Sequence, residues 1–343
     1  MNSIIVISIL FFTSVILIAK YWSRKYTTTT AQRSEEQKQR LRQQSAPTSI
    51  TNHNVMLTVV VPCFNEEDRL LPMLYDTMTC LDEEVRRCRS LFVLNFEKKV
   101  GEKKKFETNV EENNDMGGIA AYEVLVIDDC STDRTADVAT KFFRDHHNLS
   151  INSRVVRITP NKGKGHAVRC GFFEAMGDVV LMADGDNATQ IDSVLRLHSA
   201  LMKRNNVSIA IGSRAHLENE SIATRTLFRT ALMYLFHFVV LFTYWCTTRR
   251  MCTLRDTQCG FKLFRRKECS VLFENNRLER WAFDVEIMLL AKRLAVDVVE
   301  VPVNWTEVPG SKVRLGGMLQ MGLECLLMCF TYPMGFWTIK RSP

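Results

Sequence analysis

A chain of 343 residues, 46% of them hydrophobic, is long enough to close one large α/β domain or two small ones. The net charge of +7 is a mild excess that suits phosphate-bearing ligands or an anionic membrane face; with no zinc-finger spacing and no aromatic–basic repeat, nucleic acid is excluded as a partner. The 11 cysteines are scattered and none falls in a C-x-x-C pair, which argues against a zinc site or a disulfide framework and for a reducing compartment.

Residues 1–20 form a membrane anchor in this reading. Ile4–Ala19 is uncharged and apolar, and with Met1 the run before Lys20 is just long enough to span a bilayer. The residues before it carry no charge, whereas Lys20, Arg24 and Lys25 follow it, so the anchor is uncleaved and the rest of the chain faces the cytosol. Asn148, Asn187, Asn206, Asn219 and Asn304 all begin glycosylation sequons. Unused sequons are expected of a domain that never enters the lumen. Residues 21–54 are a polar tether, either solvated or resting on anionic lipid.

The domain proper is read as residues 55–312. Leu57–Val61 is a buried-strand pattern ending at Pro62, and a helix follows to about Leu81. This is the opening unit of a nucleotide-binding α/β fold, without the G-x-G-x-x-G of a dinucleotide site. Asp82–Gly118, with its Lys/Glu-rich centre, is a charged insertion, partly helical or disordered. Tyr122–Ile127 is the next strand and runs into Asp128 and Asp129, placed to accept from a ligand. Ser131, Thr132 or Asp133 can cap the helix that follows. Val155–Thr159 is a short strand. Asn161–His166 is a Gly-rich turn with two lysines, one of them Lys164, suited either to an anion or to a plain helix entry.

Val179–Ala183 is an apolar strand that ends in Asp184-Gly185-Asp186. Two carboxylates just past a strand's carboxyl end repel each other unless a cation lies between them, so this turn calls for Mg²⁺ or Mn²⁺ and, through it, a diphosphate. D-x-D alone also occurs as a solvated turn. Gly185 is expected to free the backbone there, and a glycan on Asn187 would block the turn. Ser208–Gly212 is a fifth strand, ending at Ser213-Arg214. Five strand–helix units in order give a parallel, doubly wound sheet with its polar motifs at one edge.

Residues 226–246 are read as an interfacial helix or an ordinary buried one. A polar cluster follows at Arg255–Lys262, then a helical pattern over Glu279–Leu294 and a late strand, Val296–Val303. Residues 313–343 form a membrane-associated segment around the apolar stretch Leu315–Trp337.

Together the motifs PCFNE, VIDDCSTDRT, NKGKGHAV, MADGD, GSR, DTQCGFK, RWAFDVE and VNWTEVPGSK closely resemble the dolichyl-phosphate β-glucosyltransferases, which are inverting family-2 glycosyltransferases. The resemblance runs from about Leu57 to Trp337. It implies the GT-A fold, a doubly wound mixed sheet with a Rossmann-like nucleotide-binding half, flanked by an N-terminal transmembrane helix and C-terminal interfacial amphipathic helices. It implies UDP-glucose as donor, dolichyl phosphate as acceptor, membrane lipid as surroundings and the endoplasmic reticulum as location, with the catalytic domain in the cytosol. By the same carry-over, Pro62, Phe64 and Glu66 border the uracil, Asp128 accepts from its edge with Asp129 beside it, and Lys164 joins the donor site. Asp184 and Asp186 hold the metal. Arg214, with Arg225 or Arg229, faces the acceptor phosphate. Asp256, Gly260, Lys262 and the Gly310-Ser311-Lys312 turn close the site, and Trp281 and Asp284 contact the sugar on the acceptor side.

Two departures stand out. Related mannosyltransferases place a Gln two residues after the second Asp as a further ligand; this chain has Ala188. The middle residue of the turn, more often Ala, is Gly185. The rival readings are a dolichyl-phosphate mannosyltransferase using GDP-mannose and an inactive nucleotide-sugar-binding membrane protein.

Overall fold

A computed structural model describes residues 21, 55–101, 118–146, 149–217, 227–308 and 315–341. Strand β1 (Val55–Cys63) shows the logic of the sheet: Leu57, Val59 and Val61 enter one apolar layer, Val60 the other, and all four are fully buried. A strand covered on both faces needs an unbroken apolar run, not an alternation. The elements that follow are α1 (Leu70–Gly101), β2 (Ile119–Asp128), α2 (Thr135–Asp145), β3 (Arg154–Arg157), α3 (Lys164–Glu174), β4 (Val179–Met182), α4 (Ser193–Met202) and β5 (Val207–Ser213). The second half adds α5 (Leu227–Thr248), β6 (Lys262–Arg265), α6 (Arg266–Asn275), α7 (Phe283–Arg293), β7 (Asp297–Pro302) and α8 (Leu315–Thr331).

The strands form one seven-stranded sheet in the order β3-β2-β1-β4-β6-β5-β7. Helices α1, α2 and α4 cover one face; α3 and α5 to α8 cover the other. All pairings are parallel except those of β6, which runs antiparallel to both β4 and β5. Strands β1 to β5 of the five strand–helix units share one direction, as inferred, and β6 enters between β4 and β5 as an antiparallel strand that makes the sheet mixed, as the resemblance implied. Lys262–Arg265 has only two apolar residues between charges, and both are buried, Leu263 on one face and Phe264 on the other. Nothing local distinguishes so short a stretch from a loop.

The first helix does not stop near Leu81. Leu81, Val85 and Cys88 keep the i, i+4, i+7 spacing of a buried stripe, so α1 runs on to Gly101 through what was read as insertion. Two of its acidic residues are buried and engaged: the Tyr122 hydroxyl donates to Asp82, and Glu84 pairs with Arg87 at 2.7 Å. The rest of the insertion, 102–117, lies outside the described residues, as do the anchor at 1–20 and all of the tether but Tyr21. Among the described residues no helix is long and apolar enough to cross a membrane.

Helices α5 and α8 are apolar on two faces at once. Val240 and Tyr244 of α5, and Met321, Cys325 and Met328 of α8, enter the core. Tyr234, Leu235, Phe238, Phe242 and Trp245 of α5, and Leu319, Leu323, Leu326 and Phe330 of α8, are exposed. Thr243 binds the pair together, its Oγ1 donating to the Cys325 carbonyl at 3.4 Å and accepting from Cys329 Sγ at 3.5 Å. The two helices thus leave uncovered apolar surface side by side, more than the scattered residues of an ordinary solvated face.

Candidate active site

The carboxyl ends of β1, β2, β4 and β5 lie along one edge of the sheet, where open α/β sheets place their ligands. Because β6 runs the other way, its first residue, Lys262, reaches that same edge, opposite Met182 of β4 and Ile211 of β5. The antiparallel strand is what carries the Arg255–Lys262 cluster into the cleft.

Asp184 follows β4. Its Oδ1 lies 2.6 Å from Lys164 Nζ, at the first residue of α3. On its other side it rests on Gly260, so closely that a Cβ there would fall 2.0 Å from Asp184 Oδ2. Asp186 Oδ1 accepts from the Ala188 amide at 3.1 Å, which curls the turn back on itself. The left-handed residue of this turn is Asn187 (φ 59°), not Gly185. Gly185 is thus not needed for backbone freedom, which corrects the reading of that residue. A Cβ at Gly185 would meet Cys63, Val61 and Leu70 at 3.4–3.7 Å, ordinary contact distances. Gly185→Ala is expected to fold, to keep its activity, and to match or exceed the parent's thermal stability by about 0.4–1 kcal/mol, through the unfolded chain's lower entropy. A melt and a turnover assay check this.

Lys164 is nearly buried. Burial disfavours its ammonium, but the Asp184 carboxylate, followed by those of Asp284 and Asp186, holds its pKa above the ordinary value. Lys262, fully buried, donates to Asp284 Oδ1 at 2.6 Å and to the Cys259 carbonyl at 2.5 Å. Asp284 sits in the first turn of α7. Burial pushes its carboxyl up, and Lys262 and Lys164 offset this only in part.

Arg214, after β5, forks onto Asp256: Nε to Oδ2 at 2.7 Å and Nη2 to Oδ1 at 2.8 Å, with the Arg214 amide adding a third bond. Burial raises the Asp256 carboxyl, but the guanidinium overcomes it and leaves the pKa lowered. Glu300 of β7 accepts the amides of Arg255 and Asp256, both at 2.9 Å. Trp305 stacks under the guanidinium, 5.6 Å from ring centre to Cζ. Trp305 also pairs with Thr189, and the Thr306 amide donates to the Ala188 carbonyl at 2.9 Å. One segment therefore ties the D-x-D turn to the Arg214–Asp256 pair.

On the other side of the turn, the loops after β1 and β2 are laced together. The Asn65 amide donates to Ser131 Oγ at 2.9 Å, the Thr132 amide to Asn65 Oδ1 at 2.8 Å, and the Glu66 amide to Thr135 Oγ1 at 2.7 Å. None of the three candidate caps is the N-cap residue of α2, which is Arg134 with no side-chain cap bond, though Asp133 Oδ1 accepts from the Thr135 amide at 2.9 Å. Asp128 is fully buried, with Arg157 Nε 3.0 Å from Oδ2 and the Ser131 amide 3.1 Å from Oδ1. Asp129 accepts the amides of Lys162 and Gly163 at 3.1 and 2.7 Å, which fastens the Gly-rich turn at the left-handed Gly163 (φ 108°). Burial still raises the Asp129 carboxyl despite these two donors. Phe64, just after β1, is 39% exposed.

The family description Glycosyl transferase family 2 matches residues 109–273, from just before β2 through most of α6. The dolichyl-phosphate beta-glucosyltransferase of Homo sapiens is 37% identical over 308 residues, covering 88% of this chain and 83% of its own. The chain belongs to the dolichyl-phosphate β-glucosyltransferase family. The Drosophila melanogaster member is 39% identical over 298 residues (85% of this chain, 80% of its own), and that of Saccharomyces cerevisiae 32% over 303 (85% and 79%). In fold, the chain is similar to a glucosyl-3-phosphoglycerate synthase from Mycobacterium tuberculosis crystallised with uridine diphosphate. The TM-score is 0.50 at 18% identity, covering 84% of this chain and 82% of that one.

Within this glucosyltransferase, the fold brings Lys164, Asp184, Asp186, Arg214, Asp256, Gly260, Lys262 and Asp284 to one sheet edge, with Asp184 in electrostatic reach of Lys164, Arg214 and Asp284. Pro62 near the end of β1 and Asp128 at the end of β2 lie beside Phe64, Glu66 and Asp129 on the loops that follow, Glu66 paired with Arg69 at 2.7 Å. Trp281 packs against the apolar core beside α7. Arg229 falls in the first turn of α5, by backbone alone; Arg225, Gly310, Ser311 and Lys312 lie outside the described residues. Sequence reasoning passed over Glu300 and noted Trp305 only within the VNWTEVPGSK motif, with no role. Both stand in a stretch whose apolar neighbours advertise a strand, and only the sheet order shows that its end abuts Arg214.

Proposed function

We propose that this chain transfers glucose from UDP-glucose to dolichyl phosphate with inversion, releasing UDP and dolichyl β-D-glucosyl phosphate for N-glycan precursor assembly. The observation that carries this reading, beside the names of its relatives, is the D-x-D turn held next to a clamped arginine at one sheet edge. The acceptor is a phosphate already ionised at neutral pH, so no strong general base is required, and the difficulty lies in bringing two anions together. Arg214, with two of its five N–H groups on Asp256, keeps three for an acceptor oxygen, and the Trp305 ring fixes its plane.

Asp184 and Asp186 offer hard carboxylate oxygens suited to Mg²⁺ or Mn²⁺. Ala188 adds no ligand, and among the described residues no group of three or more acidic, His or Cys side chains could enclose a metal. The donor set therefore fits an ion that completes its shell with phosphate and water. When bound, such an ion would neutralise charge on the leaving diphosphate. Lys164 and Lys262 lie in the same cluster and add fixed positive charge around it.

We place the domain on the cytosolic face of the endoplasmic reticulum membrane, with α5 and α8 against lipid. Three sequon asparagines support the compartment: Asn187, Asn206 and Asn304 each donate their side-chain nitrogen, to Asp76, Asp297 and Gln190, at 2.7–3.1 Å. Glycosylation would modify that nitrogen. Phe238 (64% exposed) and Leu323 (67% exposed) support the lipid contact. The double variant Leu319→Asp with Leu323→Asp is expected to lose activity on dolichyl phosphate in vesicles by about tenfold or more, while keeping it on a short, soluble isoprenyl phosphate. Equal losses on both acceptors would remove α8 from the membrane face.

The deciding assay offers purified protein dolichyl phosphate and a divalent metal with either UDP-glucose or GDP-mannose, and reads the lipid product. Glucosyl lipid from UDP-glucose is expected. Mannosyl lipid, or no product, would overturn the reading.

A further inference from the structure

Lys164 stands where a metal reading leaves no obvious place for it. Its ammonium lies 2.6 Å from Asp184 Oδ1, and the other oxygen of that carboxylate, Oδ2, rests against Gly260. The other local partners are spoken for. Asp284 holds Lys262 at 2.6 Å, and Asp186 takes the Ala188 amide. Three carboxylates (Asp184, Asp186 and Asp284) thus face two ammonium groups (Lys164 and Lys262), so the cluster is close to neutral without any metal. A divalent ion arriving alone would displace Lys164 from Asp184 and leave positive charge in excess among partly buried groups. A divalent ion arriving with a diphosphate restores the balance, and the released ammonium, at the N-terminus of α3, has a new anion within reach.

We propose that Lys164 is the resident counter-cation of Asp184 and makes divalent-metal binding conditional on the donor's diphosphate. The inference rests on the metal–diphosphate reading of the site and is tested apart from turnover. Binding of Mn²⁺ to the full chain in detergent is followed through the loss of the free-ion electron paramagnetic resonance signal, with and without UDP.

The parent is expected to bind Mn²⁺ weakly alone and at least tenfold more tightly with UDP. In Lys164→Met, Mn²⁺ alone should bind on the order of tenfold more tightly, about the effect of one pKa unit of charge interaction, and the enhancement by UDP should shrink. Lys164→Gln carries the same expectation should the apolar variant fail to fold, and Lys164→Arg, which keeps the charge, should behave as the parent. Unchanged or weaker binding of Mn²⁺ alone in the neutral variants would overturn the proposal. Asp186→Ala separates the two layers: Mn²⁺–UDP uptake equal to the parent's would mean that the metal reading itself has failed.

Discussion

Replacing Asp186 with alanine is expected to lower glucosyl transfer by about 10²–10³-fold or more, the scale of losing one preorganised electrostatic contact in an active site. Three features make this residue decisive. Ala188 stands where a further side-chain ligand could have stood, so the turn has only two carboxylates to offer. Asp184 already shares its charge with Lys164. Asp186 is only partly buried, and its one resolved bond is a short-range one to the Ala188 amide, so its removal should cost little stability. The variant should therefore melt near the parent and still fail in the lipid-product assay across a divalent-metal titration. Parent-like turnover at saturating metal would show that Asp186 holds no metal.

Replacing Gly260 with alanine is expected to cost on the order of 10²-fold in kcat/KM, since misplacing a site group by about 1 Å carries a penalty of that size. The added methyl would fall 2.0 Å from Asp184 Oδ2 and 2.6 Å from its Cγ, with backbone on one side and carboxylate on the other. The carboxylate must swing, and it cannot do so without changing its contact with Lys164. Overpacking of this kind also destabilises, by roughly 1–3 kcal/mol, so the melt should be run beside the kinetics. Gly185→Ala is the matched control: the same methyl, one residue from the same carboxylate, meeting nothing closer than 3.4 Å. Loss at Gly260 with retention at Gly185 would place the effect on the carboxylate. Retention at both would mean that the position of Asp184 does not limit the reaction.

These two glycines show where sequence reasoning reached and where it stopped. Gly185 drew attention because it lies inside a recognisable turn, yet the residue that needs the left-handed conformation is Asn187. Gly260 was counted among the residues that close the site by resemblance alone, and the physical reason is a carboxylate 76 positions earlier in the chain resting on its backbone. A requirement for φ above zero is a local property, but a close approach is made by a partner that local sequence does not reveal. The length of α1 is an intermediate case. The buried spacing of Leu81, Val85 and Cys88 was legible, but the charges around it masked the stripe, and two of those charges turn out to be buried and satisfied.

By itself the sequence determined the strands of the nucleotide-binding half, the placing of Asp128, Asp129, Asp184, Asp186 and Arg214 at or just past strand ends, and the family. Apolar runs and the residues that end them are consequences of burial and turn geometry within a few positions, and these the chain states directly. The tertiary structure decided the direction of β6, and with it the arrival of Lys262 and Gly260 at the cleft. It also decided the pairing of Lys164 with Asp184 and of Arg214 with Asp256, and the lodging of Trp305 between the metal turn and the arginine. Each is a contact between charges or backbones remote in sequence, and its strength depends on distance and burial that only the folded chain sets.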